Sequence, residues 1–378
     1  MKVWVMAILS NTGYYWRRSK MKNVFVTYTP FHVLTACGMA KELVKGENVL
    51  VFVKDFPDAG VYLNAIHVWK DSPFAFIEIV DFGRQFEQKT LKQRLGFGMH
   101  KMAAIKSFWA KHLKDEPYHL YTFNDDTVES QFLLWKNDVA RNYYVEDGLS
   151  SYYTIPGYKN LTYHVKKLLR KVLFGTWVER PYPYGTSRKV STVFSFYPEH
   201  VVAELKAKNV VRIPATTFEG IEGLVQLLQN AFMMEGITMT GNVGVLLMPL
   251  AYQLEALHVN PVAFVKKAIA LLVKNGVPRD HVYIKCHPRE PTAMADVIEM
   301  AIPGVHVIEK AITAEIVFLH LRGKGKVFIV GPESTAFITA KIILDENVEM
   351  TCIIKTEGVN ESMSKFLRDF GVKEREVV

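Results

Sequence analysis

Asn23-Val24-Phe25-Val26-Thr27-Tyr28-Thr29-Pro30-Phe31-His32 reads as a short strand, Asn23–Tyr28, that stops at a tight loop and turns straight into a helix. Its apolar, β-branched core suits a strand covered on both faces. Pro30 sits where a helix start tolerates a missing N–H, and the helix is predicted over Pro30–Val44. The same alternation returns along the chain. Strands are predicted at Val49–Val53, His119–Phe123 and Tyr143–Val145. A second run of the pattern starts near Gly241. It has strands at Val243–Met248, His281–Cys286, Val305–Ile308, Lys326–Val330 and Glu349–Ile354. A helix over Pro261–Lys274 is closed by Asn275-Gly276, and another opens after Gly331-Pro332-Glu333 and runs to about Leu344. Strands alternating with helices predict an α/β fold of parallel sheets with helices on both faces.

The chain has 378 residues, which favours two domains. Apolar residues are 49% and charged residues 22%, a globular composition that excludes bulk disorder. The three cysteines, Cys37, Cys286 and Cys352, are far apart. That argues against a disulfide scaffold or a zinc ribbon and for a reducing compartment. No stretch reaches the eighteen or so apolar residues of a membrane span. Residues 1–20 carry a short apolar run, but the basic cluster follows it and no small-residue cleavage site is visible, so the expectation is an N-terminal extension of a cytoplasmic protein. The expected division is 1–20 extension, 21–240 first Rossmann-like domain, 241–355 second, and 356–378 a C-terminal helix or tail.

The formal charge is +8, which favours an acidic partner. Residues 141–190 hold nine Lys or Arg against three acids, a local excess of +6. Within this basic, aromatic-rich stretch (150–190), His164–Phe174 is an amphipathic helix carrying Lys166, Lys167, Arg170 and Lys171. A solvated face is the plain reading. A membrane-surface helix is another, because Leu168, Leu169, Val172 and Leu173 share a side. A groove for an anionic glycan is the third.

Three short motifs stand where a predicted strand ends, the edge at which open α/β sheets bind ligands. Glu146-Asp147-Gly148 offers paired carboxylates for base catalysis and a glycine for a sharp turn, or simply an Asp-Gly turn. Lys285-Cys286-His287-Pro288 offers an imidazole that can protonate a leaving phosphate, or a histidine capping the next helix. Ser334-Thr335 offers hydroxyls at a helix N-terminus, suited to a phosphate, or an ordinary cap. Asn124-Asp125-Asp126 reads as a turn after a strand, with metal binding by its aspartates the alternative. His32 reads as a capping or core histidine.

The order acidic-acidic-Gly, His-Pro, Ser-Thr, with the opening Phe25–His32, resembles the bacterial sialyltransferases, and among them the capsule polysialyltransferases, over about residues 21–360. The resemblance implies a GT-B fold, two Rossmann-like domains facing across a cleft. It implies a metal-independent, inverting transfer of sialic acid from CMP-sialic acid to a glycan, with capsule-chain extension as the expected use and no cofactor. It makes Glu146 the general base and His287 the general acid. Lys285, Pro288, Ser334 and Thr335 would hold the donor, with Glu309 a candidate for the ribose by location alone. Thr29, Asp147, Gly148, Lys166, Lys167, Arg170 and Lys171 would face an anionic acceptor. The expected partners are thus a CMP-sugar donor and an anionic glycan, with peripheral contact to the inner membrane and no nucleic acid. A lipooligosaccharide sialyltransferase, another GT-B transferase, and a non-catalytic polyanion-binding protein are the rival expectations.

Overall fold

The computed structural model describes residues 21–54, 56, 58–80, 91–114, 116–137, 141–154, 157–234, 241–256, 258–287, 293–354 and 361–374. The N-terminal extension and Pro288 lie outside the described residues.

The first unit runs β1 (Lys22–Thr27), α1 (Pro30–Glu42), β2 (Glu47–Val53), α2 (Ala59–Val68), β3 (Phe74–Val80), α3 (Leu91–His112), β4 (Tyr118–Thr122), α4 (Val128–Lys136), β5 (Asn142–Val145), α5 (Leu161–Phe174), β6 (Thr192–Ser195), α6 (Ala203–Lys206), β7 (Asn209–Arg212) and α7 (Glu222–Ala231). Its strands form one parallel sheet in the order β3-β2-β1-β4-β5-β6-β7. The second unit runs β8 (Val243–Leu247), α8 (Ala251–Ala256), α9 (Pro261–Lys274), β9 (Val282–Lys285), α10 (Ala293–Ala301), β10 (His306–Ile308), α11 (Ala314–Leu321), β11 (Val327–Pro332), α12 (Thr335–Leu344), β12 (Val348–Ile354), α13 (Glu361–Asp369) and β13 (Val372–Glu374). Its sheet is parallel too, in the order β10-β9-β8-β11-β12-β13. Two Rossmann-like units facing across a cleft are the GT-B arrangement that the alternating pattern implies.

Both sheets reverse their strand order once, between β1 and β4 and between β8 and β11. At such switch points the connections leave in opposite directions and open a crevice at the strand C-termini. Central strands are buried on both faces: Val24 to Val26 and Val49 to Phe52 are solvent-free. α1 is buried from Phe31 through Ala40, because it fills the layer between its sheet and the segment 215–221. Its start is fixed by Pro30 and by the Thr29 hydroxyl, which accepts from the His32 N–H at 3.3 Å.

The two units share one apolar core, in which Phe232 and Met234 of the first unit join Ile312, Ile316 and Val317 of the second. The Tyr62 and Thr313 hydroxyls meet at 2.9 Å across this seam, and Arg322 pairs with Glu219 at 3.0 Å. The C-terminus does more than trail behind the second unit. β13 extends the second sheet beside β12, while Phe366 and Phe370 of the preceding helical segment lie 5.9 and 5.4 Å from the Tyr152 ring of the first unit. The strands β3, β6 and β7, which widen the first sheet, go beyond the strands expected from sequence.

Candidate active site

β5 ends at Val145 and delivers Glu146, Asp147 and Gly148 to the C-terminal edge of the first sheet. The two carboxylates have opposite fates. Glu146 is solvent-free and turned into the protein. Its Oε2 accepts hydrogen bonds from the Tyr152 hydroxyl, from the Ser195 hydroxyl at 2.9 Å and from the Phe196 N–H at 2.8 Å. Its Oε1 meets no hydrogen-bond partner. Burial pushes its pKa up to about 7, against the pull of those three donors. A carboxylate in this position fastens the β5 loop to β6. Glu146, the residue expected to act on an acceptor, is thus enclosed in the fold by Tyr152, Ser195 and Phe196, the last two at the end of β6.

Asp147 is only partly buried, with 18% of its side chain accessible. Its Oδ1 is paired with His32 Nε2, and its Oδ2 accepts from the Ser150 hydroxyl at 3.2 Å. Its own N–H is directed at the Tyr144 hydroxyl and Ser151 Oγ, both at 3.3 Å. The His32 tautomer follows from its other nitrogen. Nδ1 lies 3.3 Å from the Tyr28 N–H and must accept from it. The ring proton is then on Nε2, which donates to Asp147. The imidazole is stacked on Phe123 with 4.6 Å between ring centres, and only 2% of it is exposed, so it cannot swing away. Its partner lies 115 residues away in sequence, so the local pattern around His32 shows only a capping or core residue. Gly148 adopts φ +84°, a left-handed conformation costly for other residues, and a Cβ there would meet open space. The space beside Asp147 is open at this position. Thr29, which caps α1, lies half-buried next to this group.

On the second sheet, β9 ends at Lys285 and leads through buried Cys286 to half-exposed His287. Lys285 is buried, and its Nζ donates to the carbonyls of Cys286, Glu309 and Lys310 at 3.1 to 3.5 Å. Burial lowers its pKa to about 8. Its ammonium ties the ends of β9 and β10 together, so it adds positive potential near His287 without being a free phosphate ligand. Glu309 is exposed directly after β10. β11 ends at the switch point. Gly331 passes so close to β8 that a Cβ would stand 2.7 Å from that of Leu247. Ser334 caps α12 and accepts from the Ala336 N–H at 3.1 Å. Thr335, the first helical residue, is exposed. Hydroxyls and unpaired N–H groups at such a helix start suit a phosphate.

The basic region divides by role. Arg170 is held by Asp126 at 2.6 Å, so α5 is clasped to the loop after β4. The same loop supplies Thr127 and, from α4, Ser130, whose hydroxyls meet Tyr28 Oη at 2.7 Å each. Asp125 is buried and accepts from the N–H groups of Gly185 and Ser187 at 2.8 and 2.9 Å. Burial raises its pKa to about 7. Both aspartates of the Asn124-Asp125-Asp126 turn are therefore committed to protein partners. Lys167 and Lys171 line an open groove of about 420 Å³ with Lys159, Arg180 and Arg188. Lys166 is exposed outside it.

The sequence matches no protein-family model and no curated protein. Solved structures do match in fold. A sialyltransferase GT-B domain from Photobacterium damselae is 13% identical, with a TM-score of 0.51 over 94% of this chain and 100% of that one. An alpha/beta-galactoside alpha-2,3-sialyltransferase from the luminous marine bacterium Photobacterium phosphoreum is 14% identical, with a TM-score of 0.56 over 94% and 99%. A UDP-GlcNAc 2-epimerase from Methanocaldococcus jannaschii is 10% identical, with a TM-score of 0.50 over 94% and 89%. The chain thus has the GT-B fold over nearly its whole length. At these identities the likeness is one of fold, and function must be argued from the site.

Proposed function

We propose that this protein is an inverting sialyltransferase, which moves sialic acid from a CMP-activated donor to a glycan acceptor without a metal ion. The observation that carries the reading is the pairing of Asp147 with a tautomer-fixed His32 at the edge of the first sheet, in a chain whose second sheet brings His287 and the 334–335 hydroxyls to its own C-terminal edge.

In this reading Asp147, rather than Glu146, removes the proton from the acceptor hydroxyl. The His32 Nε2–H holds the carboxylate in place. The donor carries its leaving group on a tertiary carbon beside a carboxylate, so bond breaking runs ahead of attack and charge grows on the departing phosphate. His287 protonates that phosphate. Ser334, Thr335 and the N–H groups at the start of α12 stabilise it, as preorganised donors do where charge develops. Attack from the face opposite the leaving group inverts the anomeric carbon. The acid and the base each supply about 10²–10⁴-fold. Lys285 braces the His287 loop and Glu146 braces the Asp147 loop. The groove with Lys159, Lys167 and Lys171 supports an anionic acceptor, and capsule polysialic acid is the acceptor of this kind that we favour.

The test is incubation with a panel of CMP- and UDP-sugars, following donor hydrolysis and transfer with and without EDTA. The expected result is turnover of CMP-sialic acid that EDTA leaves intact. Turnover of UDP-sugars alone, or loss of activity in EDTA, overturns the reading.

A further inference from the structure

The helix α5 is turned inside out. An ordinary surface helix buries its apolar stripe and shows its charges to water. Here Tyr163 is the buried residue, and Arg170 faces inward to Asp126. The apolar stripe faces outward. Leu161, Val165, Leu168, Leu169, Val172 and Leu173 are 79, 49, 64, 54, 75 and 52% exposed. At 100° per residue, Leu161, Val165, Leu168 and Val172 fall within one narrow sector, and Leu169 and Leu173 widen it on one side. This sector lies opposite Tyr163 and Arg170. Lys166 flanks it on one side and Lys171 on the other. The helix is well formed, with Asn160 capping its start and Gly175 at its end. Six large apolar side chains held in water on a rigid helix form a patch that monomeric proteins rarely leave uncovered.

We infer that α5 is an interfacial helix that seats the protein on an anionic lipid bilayer. Charge complementarity selects this occupant. The apolar sector is bordered by Lys166 and Lys171, and the basic groove opens beside it with Lys159, Lys167 and Arg180. An apolar stripe framed by lysines is the pattern that buries side chains below the headgroups while ammonium groups meet lipid phosphates. A second copy of this chain would have to bring its own lysines against these. No helix among the described residues is long and apolar enough to cross a membrane, so α5 would lie in the interface plane. Leu161 is 13 residues beyond Gly148 in sequence, and the Arg170–Asp126 pair links α5 to the loop that steadies Tyr28 and His32. Docking through α5 would therefore fix how the first unit is oriented on the bilayer, where a lipid-linked acceptor would be presented.

The test is flotation of the full chain with phosphatidylcholine vesicles, with and without phosphatidylglycerol, in the absence of any sugar. A failure here is thus distinct from a failure of the transferase reading. Binding is expected only with phosphatidylglycerol, and it should weaken as salt is raised. Leu168→Glu and Val172→Glu should each lower the partition by about tenfold or more. Lys166→Gln and Lys171→Gln should each lower it roughly fivefold. Donor hydrolysis with a soluble acceptor should be unchanged in Leu168→Glu, which shows that this variant is folded. Absence of binding to anionic vesicles, or unaltered binding by Leu168→Glu and Val172→Glu, overturns the inference. So does sedimentation as a dimer that those two substitutions dissociate, because the patch is then an interface between copies.

Discussion

Exchanging the two adjacent carboxylates one at a time separates a fastening role from a chemical one. In Glu146→Gln the amide oxygen can keep the bonds from Ser195 and Phe196, whose donors lie 2.9 and 2.8 Å from the present Oε2. The amide NH₂ must then occupy the Oε1 position, which is buried and has no partner. An unsatisfied buried donor costs about 1–3 kcal/mol, so the melting temperature should fall. Turnover should fall less than about tenfold, because the loop is loosened and the base is retained. Asp147→Asn should behave in the opposite way. The amide oxygen can still accept from His32 Nε2, and the side chain is partly exposed, so stability should change by less than about 1 kcal/mol. Turnover should fall about 10²–10⁴-fold, which corresponds to roughly 3–5 kcal/mol in the barrier. The assay is CMP release from CMP-sialic acid with a saturating acceptor, beside thermal unfolding of the same preparations. A hundredfold loss of turnover in Glu146→Gln with an unchanged melting temperature, together with near-normal turnover in Asp147→Asn, refutes the assignment.

Three further outcomes follow from particular contacts. Glu146 and Asp125 both have pKa values near 7 in the fold against reference values of 4.5 and 3.8. Between those limits the native state binds more protons than the unfolded chain, so stability declines as pH rises from about 4 to 7 and levels off above. Unfolding scans at pH 5 and pH 8 should show the lower melting temperature at pH 8, with a smaller difference in Glu146→Gln; a higher melting temperature at pH 8 speaks against neutral buried carboxyls. Ser334→Ala should lose the α12 cap, about 1 kcal/mol of stability, and also weaken donor binding, whereas Thr335→Ala should raise the donor KM with stability intact. Phe370→Ala removes the ring packed on Tyr152, Tyr197 and His200 and should cost about 3–5 kcal/mol of stability, read by urea unfolding.

The doubly wound pattern was legible because the central strands are buried on both faces. Runs such as Val24 to Val26 and Val243 to Leu247 must be apolar there, and Pro30, Pro261 and Ser334 mark helix starts by chemistry that operates locally. β7, Asn209–Arg212, is mostly exposed at the sheet edge and carries too little apolar signal to be read as a strand. β13 is three residues long and exists through its pairing with β12. The candidate motifs at strand ends were legible, but the direction of each side chain was not. Glu146 and Asp147 differ by one step of a strand, and only the neighbouring β6 decides which is shut in. Lys285 looked like a phosphate ligand because the carbonyls that absorb its charge come from the β10 loop, which is remote in sequence. Periodicity likewise marked α5 as amphipathic without telling which face meets the protein. That depends on Asp126 capturing Arg170 from 44 residues away.

A structure with CMP and a non-transferable CMP-sialic acid analogue examines the proposed catalytic arrangement most directly. The phosphate is expected within hydrogen-bonding reach of His287 and the start of α12, with the anomeric carbon turned toward the Asp147 carboxylate and Glu146 still enclosed by Tyr152, Ser195 and Phe196. A nucleotide bound away from His287, or a donor whose reacting carbon has no open line to Asp147, contradicts it.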